Sequence, residues 1–154
     1  MARTEFAFHH RFRVRWSETD AQGVVFNARY LDYADVAVTE YWREAKFRDY
    51  ADGAPLEFHV KKATVTWFAP IKPDELIDVM ARTVATGRTS MTQIVEIHGI
   101  TEDGSDDLRA TVDLVSVHVD LDTHRPIPLP HWVKDVFLNF DQQAATPAVA
   151  MADA

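Results

Sequence analysis

The stretch ARYLDYADVAVTEYWREAKF, residues 28–47, decides the fold of this chain. It contains neither glycine nor proline, and its apolar residues recur every three or four positions, which predicts one face of a helix. These residues are Tyr30, Ala34, Ala37, Val38, Tyr41 and Ala45. Asn27 is a suitable N-cap, so we predict a helix over about residues 28–47. Its solvated face would carry Asp32, Asp35, Thr39, Arg43 and Lys46, with Glu40 and Glu44 toward the apolar side.

Runs typical of β-strands flank this helix. Before it, RFRVRW alternates arginine with Phe12, Val14 and Trp16, which predicts a half-buried strand ending near Trp16. After it come four runs rich in β-branched and aromatic residues, at 58–68, 76–86, 90–101 and 108–121. Short glycine-containing turns join the last three runs, so we predict antiparallel hairpins.

The order of elements predicts an α+β fold in one domain, residues 1–140. A short amphipathic helix, HWVKDVFLNF, follows the strands, and residues 141–154 are predicted to form a flexible C-terminal tail. One long helix is not expected to cover the whole sheet, and the remaining apolar area predicts a homo-oligomer. This area would be supplied by Val65, Trp67, Val79, Val95, Val112 and Leu114.

The composition excludes several classes of function. A net charge of −8 on 154 residues argues against nucleic-acid binding and requires a local basic patch for any anionic ligand. The chain has no cysteine, which excludes disulfides, thiolate metal sites and cysteine nucleophiles. Its N-terminal residues lack the continuous apolar run of a signal peptide or membrane span. We therefore predict a soluble, cytoplasmic protein.

The histidines do not form a recognised set of metal ligands, and we predict no metal and no cofactor. His118 and His124 flank a turn containing Asp120 and Asp122, where a weak metal site is conceivable. Because such spacing is unspecific, surface or hairpin histidines are the favoured interpretation.

Asp20 is the most suggestive candidate for a catalytic residue. The sequence has no GxSxG elbow and no glycine-rich phosphate loop, which removes common hydrolases and nucleotide enzymes. Asp20 lies in the loop SETDAQGVVFN, just before the helix, where its carboxylate could face the unpaired amides of the helix N-terminus. A carboxylate beside an oxyanion site is a minimal arrangement for acyl hydrolysis. The alternative is a turn or capping aspartate.

The stretch RVRWSETDAQGVVFNARYLDY, residues 13–33, resembles the signature of hotdog-fold thioesterases of the 4-hydroxybenzoyl-CoA thioesterase type. The resemblance is greatest to the acyl-CoA thioesterase branch associated with the Tol–Pal cluster. It continues through VKKATVTWFAPIKPDELIDV and GRTSMTQIVEI and covers about residues 10–130. The core TDAQGVVFNARY carries most of its specificity.

This resemblance implies a hotdog fold, in which a five-stranded antiparallel sheet wraps a long central helix. It also implies a homodimer or homotetramer with active sites at the subunit interface, hydrolysing a small or medium acyl-CoA or an acyl-carrier substrate. Asp20 would be the nucleophile or the general base, and the backbone amide of Asn27 would polarise the thioester carbonyl. The acyl group would contact Val24, Phe26, Tyr30 and Trp67, and the phosphates of coenzyme A would bind Lys61, Lys62 and Arg88.

The chain departs from its nearest branch at two positions. Many members carry His where this chain has Asn27 and Arg where it has Val38, while Glu40 is kept. Because asparagine cannot take up a proton, mechanisms that need an imidazole at position 27 are excluded. Three alternatives remain: a non-catalytic acyl-CoA-binding hotdog protein, an enoyl-CoA hydratase, and a thioesterase that uses Glu40. The absence of a histidine shortly after Asp20 counts against the hydratase.

Overall fold

The computed structural model describes residues 1–144, which form one antiparallel sheet packed against a long helix. The sheet order is β1-β3-β4-β5-β2, and every neighbouring pair is antiparallel. The strands are β1 (Phe8–Arg13), β2 (Glu57–Trp67), β3 (Leu76–Thr86), β4 (Ser90–Gly99) and β5 (Leu108–Val119). The helices are α1 (Arg29–Glu44), α2 (Phe47–Ala51) and α3 (His131–Asp141). The predicted α+β hotdog fold is confirmed, and the four later strands lie within two residues of their predicted limits.

Helix α1 buries the predicted apolar face but has different ends from those predicted. Ala28, not Asn27, precedes its first turn, and no side chain of the described residues caps it. The predicted continuation to residue 47 is wrong, because Lys46 adopts a left-handed backbone with φ of 58° and a separate helix α2 follows. Glu44 is exposed and Glu40 is half-buried, so neither carboxylate belongs to the buried face.

Strand β1 ends earlier than predicted. The alternation holds for Phe12 and Val14, but a 3-10 turn, Trp16–Glu18, carries Trp16 out to 72% exposure. This turn forms because the Glu18 carboxylate accepts a hydrogen bond from the Arg15 amide at 2.8 Å. A local side-chain bond has therefore replaced the strand ladder.

The inner face of the sheet is covered within the single chain. Val79, Val95 and Val112 are fully buried in one core, and burying a side chain of this size stabilises the fold by about 1.5–3 kcal/mol. The prediction that these valines supply an uncovered oligomer surface is wrong. Among the six residues predicted to supply that surface, Trp67 remains 49% exposed. It belongs to a different apolar surface around the Asp20 loop and the edge strand β2, with Trp16, Phe26, Val60 and Phe68 also exposed.

The outer face of the sheet carries buried charges beneath residues 1–6. Asp78 on β3 pairs with Arg11 on β1, at 2.9 Å between Oδ1 and Nε, and with Arg3. Burial alone would raise the pKa of Asp78, but the Arg11 and Arg3 guanidiniums outweigh it and hold this pKa below its ordinary value. The N-terminal residues are thus attached to the sheet through a carboxylate.

Helix α3 is held by its last residue. Asp141 is buried and accepts hydrogen bonds from the Tyr41 hydroxyl at 2.8 Å and from the Thr83 amide at 3.0 Å. It therefore belongs to the folded domain, although we predicted that the tail begins there. Residues 145–154 of the predicted tail lie outside the described residues. In the part of the chain that is described, no helix has the length and apolar character needed to cross a membrane.

Candidate active site

Asp20 lies at the tip of a small hairpin that leads directly into α1. Its amide donates to the Val24 carbonyl at 2.9 Å, and its own carbonyl accepts from the Gly23 amide at 3.0 Å. Thr19 and Val25 form a bridge behind this turn. Gly23 has φ of +73°, a conformation that glycine adopts without strain. The hairpin therefore turns the chain back so that Asp20 and the start of α1 belong to one compact loop.

Among the described residues, only one oxygen of the Asp20 carboxylate accepts a hydrogen bond. Oδ1 accepts a hydrogen bond from the Gln22 amide at 2.8 Å, which is an Asx turn. The side chain is half-buried, and no described cation forms an ion pair with it. The predicted turn role is thus real, but it leaves Oδ2 available for chemistry.

Free amides lie at the start of α1. Two amides in this region are already paired: the Arg29 amide donates to the Phe26 carbonyl at 2.9 Å, and the Leu31 amide donates to the Ala28 carbonyl at 3.3 Å. Within residues 1–144, the amides of Asn27 and Ala28 have no acceptor, and both residues are exposed. Unpaired amides and the positive end of the helix dipole favour negative charge at this point. A carbonyl oxygen that gains charge could bind here.

Glu18 supports the loop and was missed from the sequence. Its buried carboxylate accepts from the Arg15 amide and from the Tyr33 hydroxyl, the latter at 3.2 Å, while its carbonyl accepts from the Phe26 amide at 3.0 Å. Burial, followed by the charge of Glu18, raises the pKa of Tyr33 above its ordinary value. The available signal was a glutamate three residues after Arg15, the spacing that caps a helical turn.

Four predicted acyl-binding residues gather near the Asp20 loop. Val24 is half-buried and Phe26 is exposed, both in the hairpin. Tyr30, in the first turn of α1, is buried and lies edge-on to Trp67, with 6.1 Å between ring centroids. The chain therefore brings these four residues to one end of the sheet.

The three cations predicted to bind phosphate lie elsewhere. Lys62 pairs with Val115 whereas Trp67 pairs with Ala110, so five residues, or about 17 Å, separate them along β2. Lys61 occupies the β-bulge next to Lys62. Arg88 lies in the β3–β4 turn, where its carbonyl accepts from the Leu129 amide at 2.9 Å. The single chain does not bring these side chains to Asp20.

A cavity of about 580 Å³ lies between the C-terminal half of α1 and the first half of β2. Its walls are partly apolar, and residues of α1, α2 and the segment between them supply most of its charge. Asp20 is not among its lining residues. The cavity was not predicted from the sequence because its lining residues are far apart in the chain. The lining is Asp35, Val38, Thr39, Trp42, Arg43, Lys46, Arg48, Asp49, Phe58, Val60 and Ser116.

The remaining candidates are occupied by structural contacts. Glu40 pairs with Arg43, which lowers the pKa of Glu40, and it does not line the cavity. His118 is buried, and its Nδ1 donates to the Pro128 carbonyl at 3.0 Å. No group of three or more histidines, aspartates or glutamates suited to a metal ion occurs among the described residues.

The chain belongs to the Thioesterase-like superfamily, whose sequence profile matches residues 14–137. The assignment agrees with the confirmed hotdog fold and with the loop that places an aspartate before the central helix.

Individual relatives support this assignment. The acyl-CoA thioesterase YbgC of Haemophilus influenzae is 31% identical over 140 residues, which cover 84% of this chain and 93% of the relative. The acyl-CoA thioester hydrolase YbgC of Escherichia coli is 33% identical over 85 residues, 54% of this chain and 63% of the relative. The match thus spans less than two thirds of the E. coli protein. A thioesterase from Thermus thermophilus, crystallised with coenzyme A and Zn, has 25% identity and a TM-score of 0.74, covering 90% of this chain and 97% of that one.

Proposed function

We propose that the protein is an acyl-CoA thioesterase that hydrolyses a small or medium acyl-CoA, or an acyl group on a carrier. The observation that carries this proposal is the Asp20 carboxylate, which has one oxygen that no described residue binds, in the same loop as two amides at the start of α1 that lack an acceptor within residues 1–144. The names of the YbgC relatives support the substrate class.

In the proposed reaction the amides of Asn27 and Ala28 bind the thioester oxygen and stabilise its charge in the tetrahedral intermediate. Asp20 either removes a proton from the attacking water or attacks the carbonyl carbon itself. Water supplies the hydroxyl group of the carboxylic acid, the electrons of the C–S bond leave with sulfur, and the proton taken up by Asp20 passes to the thiolate. If Asp20 attacks the carbonyl itself, the thiolate leaves an acyl-aspartyl anhydride, which water then hydrolyses to free Asp20. Because a thiol has a pKa of about 8.5, thiolate is a good leaving group and needs no imidazole in place of Asn27.

A second copy of the chain would complete the site. β2 is an edge strand with one neighbour, β5, among the described strands, and exposed apolar residues lie along it and around the Asp20 loop. Helix α1 starts near Trp67 and passes Phe58 at Trp42, so the Asp20 loop and the cavity lie at opposite ends of β2. Antiparallel pairing of two β2 strands would place the loop of one copy beside the cavity of the other. We therefore propose a homodimer, or a homotetramer built from such dimers.

The catalytic assignment is tested with Asp20→Asn. The amide oxygen of asparagine keeps the Asx turn, so the fold should be unchanged while thiol release from acyl-CoA falls at least about a hundredfold. Glu40→Gln is measured beside it on the same acyl-CoA panel. Loss of activity in the Glu40 variant alone would assign the catalytic role to Glu40 on the helix. Equal rates in the wild type and both variants would exclude both carboxylates from the mechanism.

The shared site is tested by mixing two inactive variants. Asp20→Asn removes the acid, and Val60→Trp fills the cavity from an exposed position. If each site combines Asp20 of one copy with the cavity of the other, mixed dimers contain one intact site, and about a quarter of wild-type activity returns. If the site lies within one chain, mixing restores nothing.

The alternative function is a non-catalytic acyl-CoA-binding protein, which Asn27 in place of the family histidine favours. Bound acyl-CoA that exchanges slowly and releases no thiol would support it, whereas several turnovers per chain would exclude it.

We also propose a cytoplasmic location and a place in the Tol–Pal-associated branch. The TDAQGVVFNARY core supports the branch assignment, and its test is whether the protein co-purifies with components of that cluster.

A further inference from the structure

Two cations, Lys46 and Arg48, line the cavity where α1 meets α2. Many arginines of this acidic chain are already paired with carboxylates, as Arg43 in the same lining is with Glu40. Among residues 1–144, no acidic side chain pairs with Lys46 or Arg48, although Asp35 and Asp49 line the same cavity. We propose that Lys46 and Arg48 bind the phosphate groups of coenzyme A, an inference that rests on the proposed function.

The backbone at Lys46 supports a role for its charge. Lys46 follows the end of α1 in a left-handed conformation, with φ of 58°, and its amide donates to the Arg43 carbonyl at 3.1 Å. Glycine is the residue that occupies such a position after a helix without strain. Here the position carries a long, exposed cation that lines a cavity instead.

The rest of the cavity suits the uncharged part of the same ligand. Val38 and Val60 supply aliphatic surface, and Trp42 and Phe58 supply aromatic surface, with their rings 5.3 Å apart and nearly perpendicular. An apolar cleft with cations at one corner fits an acyl-pantetheine chain that ends in phosphates. Guanidinium and ammonium groups are the usual phosphate ligands in proteins.

This assignment favours coenzyme A over a carrier protein. Coenzyme A carries a pyrophosphate and a ribose phosphate, whereas the arm of a carrier protein is attached through a single phosphodiester. It also replaces Lys61, Lys62 and Arg88, because none of these three lines the cavity and Lys62 lies on the opposite face of the sheet from Val65.

The test compares an acyl-CoA with the matching acyl-pantetheine, which has no phosphate. Lys46→Gly removes the charge and suits the left-handed backbone, and Arg48→Ala removes the second cation. Each variant should raise KM for acyl-CoA about ten- to a hundredfold, leave kcat unchanged and leave acyl-pantetheine hydrolysis unaffected. Lys134→Ala, which removes an exposed lysine of α3 that does not line the cavity, is the matched control and should change the hydrolysis of neither substrate.

An equal rise in KM for both substrates, or no change for acyl-CoA, would overturn the phosphate assignment. Titration calorimetry with coenzyme A itself separates this failure from a failure of the proposed function. If the protein binds coenzyme A and both cation variants weaken that binding without any turnover, the phosphate site stands and the hydrolase proposal falls. If turnover is present and binding is unchanged in both variants, the phosphate site falls alone.

Discussion

At the scale of single residues, Glu18 fixes the loop that presents Asp20. It holds the Arg15 amide and the Tyr33 hydroxyl from a buried position. We predict that Glu18→Ala lowers the free energy of unfolding by about 1–3 kcal/mol, because buried donors lose their acceptor. Urea unfolding measures this change. Tyr33→Phe removes only one of the hydrogen bonds and should cost about 1 kcal/mol; an equal or larger loss in that variant would contradict the role given to Glu18.

Asp78 is predicted to make stability depend on pH. Its pKa is held below the ordinary value, so it stabilises the fold above about pH 4, and this contribution is lost as the pH falls through the lowered pKa. Asp78→Asn should therefore be less stable than wild type at pH 7. The difference should shrink as the pH falls below 4. Denaturant unfolding of both proteins at pH 7 and at a pH below 4 checks this. A stability difference between them that does not depend on pH would show that Asp78 acts through packing alone.

Some residues carried enough information in the sequence and others did not. Asp20 could be selected as a catalytic candidate, a role that stays a prediction, because an aspartate before a helix has a clear chemical use and the surrounding motif resembles a family. Trp16 was misplaced because alternation cannot show where a glutamate side chain will end a strand. The left-handed conformation of Lys46 had no glycine or asparagine to indicate it, so the break between α1 and α2 was missed.

At the scale of elements, the start of α1 combines stability and chemistry. We predict that Asn27→Asp stabilises α1 by about 0.3–1 kcal/mol, because a carboxylate there interacts with the helix dipole and the free amides. The same carboxylate would occupy the proposed oxyanion site and repel the developing charge, so kcat should fall at least about tenfold. Thermal unfolding and steady-state kinetics measure the two effects.

Asp32→Asn is the control for this prediction. Asp32 is also in the first turn of α1, exposed and paired with Arg29 at 3.2 Å. Its loss should lower stability slightly without changing kcat. An increase of both stability and kcat in Asn27→Asp would mean that the amides of Asn27 and Ala28 do not bind the substrate oxygen.

The elements themselves were largely predictable, for a physical reason. A period of three to four residues arises from helix geometry, and α1 and α3 follow it, while the four later strands are marked by their β-branched and aromatic residues. Element ends depend on individual caps and turns, which explains the errors at residues 14–16 and 45–47. The coverage of the sheet was misjudged because α3 also packs on the sheet, and its Val133, Val136 and Phe137 join the same core as the inner valines.

At the scale of the whole molecule, the edge strand β2 should control assembly and activity together. Thr64 and Thr66 are exposed on this strand, and lysine on an edge strand opposes pairing with another sheet. We predict that the double substitution Thr64→Lys and Thr66→Lys shifts the protein to a monomer in sedimentation experiments, because pairing would add four ammonium groups to a seam that already carries Lys61 and Lys62 of each copy. Thiol release should fall with it.

A dimer that persists in this variant with full activity would contradict pairing through β2. Thr111→Lys, on the outer face of the interior strand β5, provides a control in which added charge should leave assembly unchanged.

The cavity is also a property of the whole molecule. It could not be predicted from the sequence, because its walls come from α1, α2, β2 and β5 and exist only after the fold has formed.

The Asx turn at Asp20 has a consequence for redesign of the loop. The direction of the acid is set by the main chain of residue 22, since its amide holds Oδ1. The side chain of Gln22 is therefore open to free variation when substrate preference is engineered. Proline is the exception, because it has no N–H and would leave the acid to rotate.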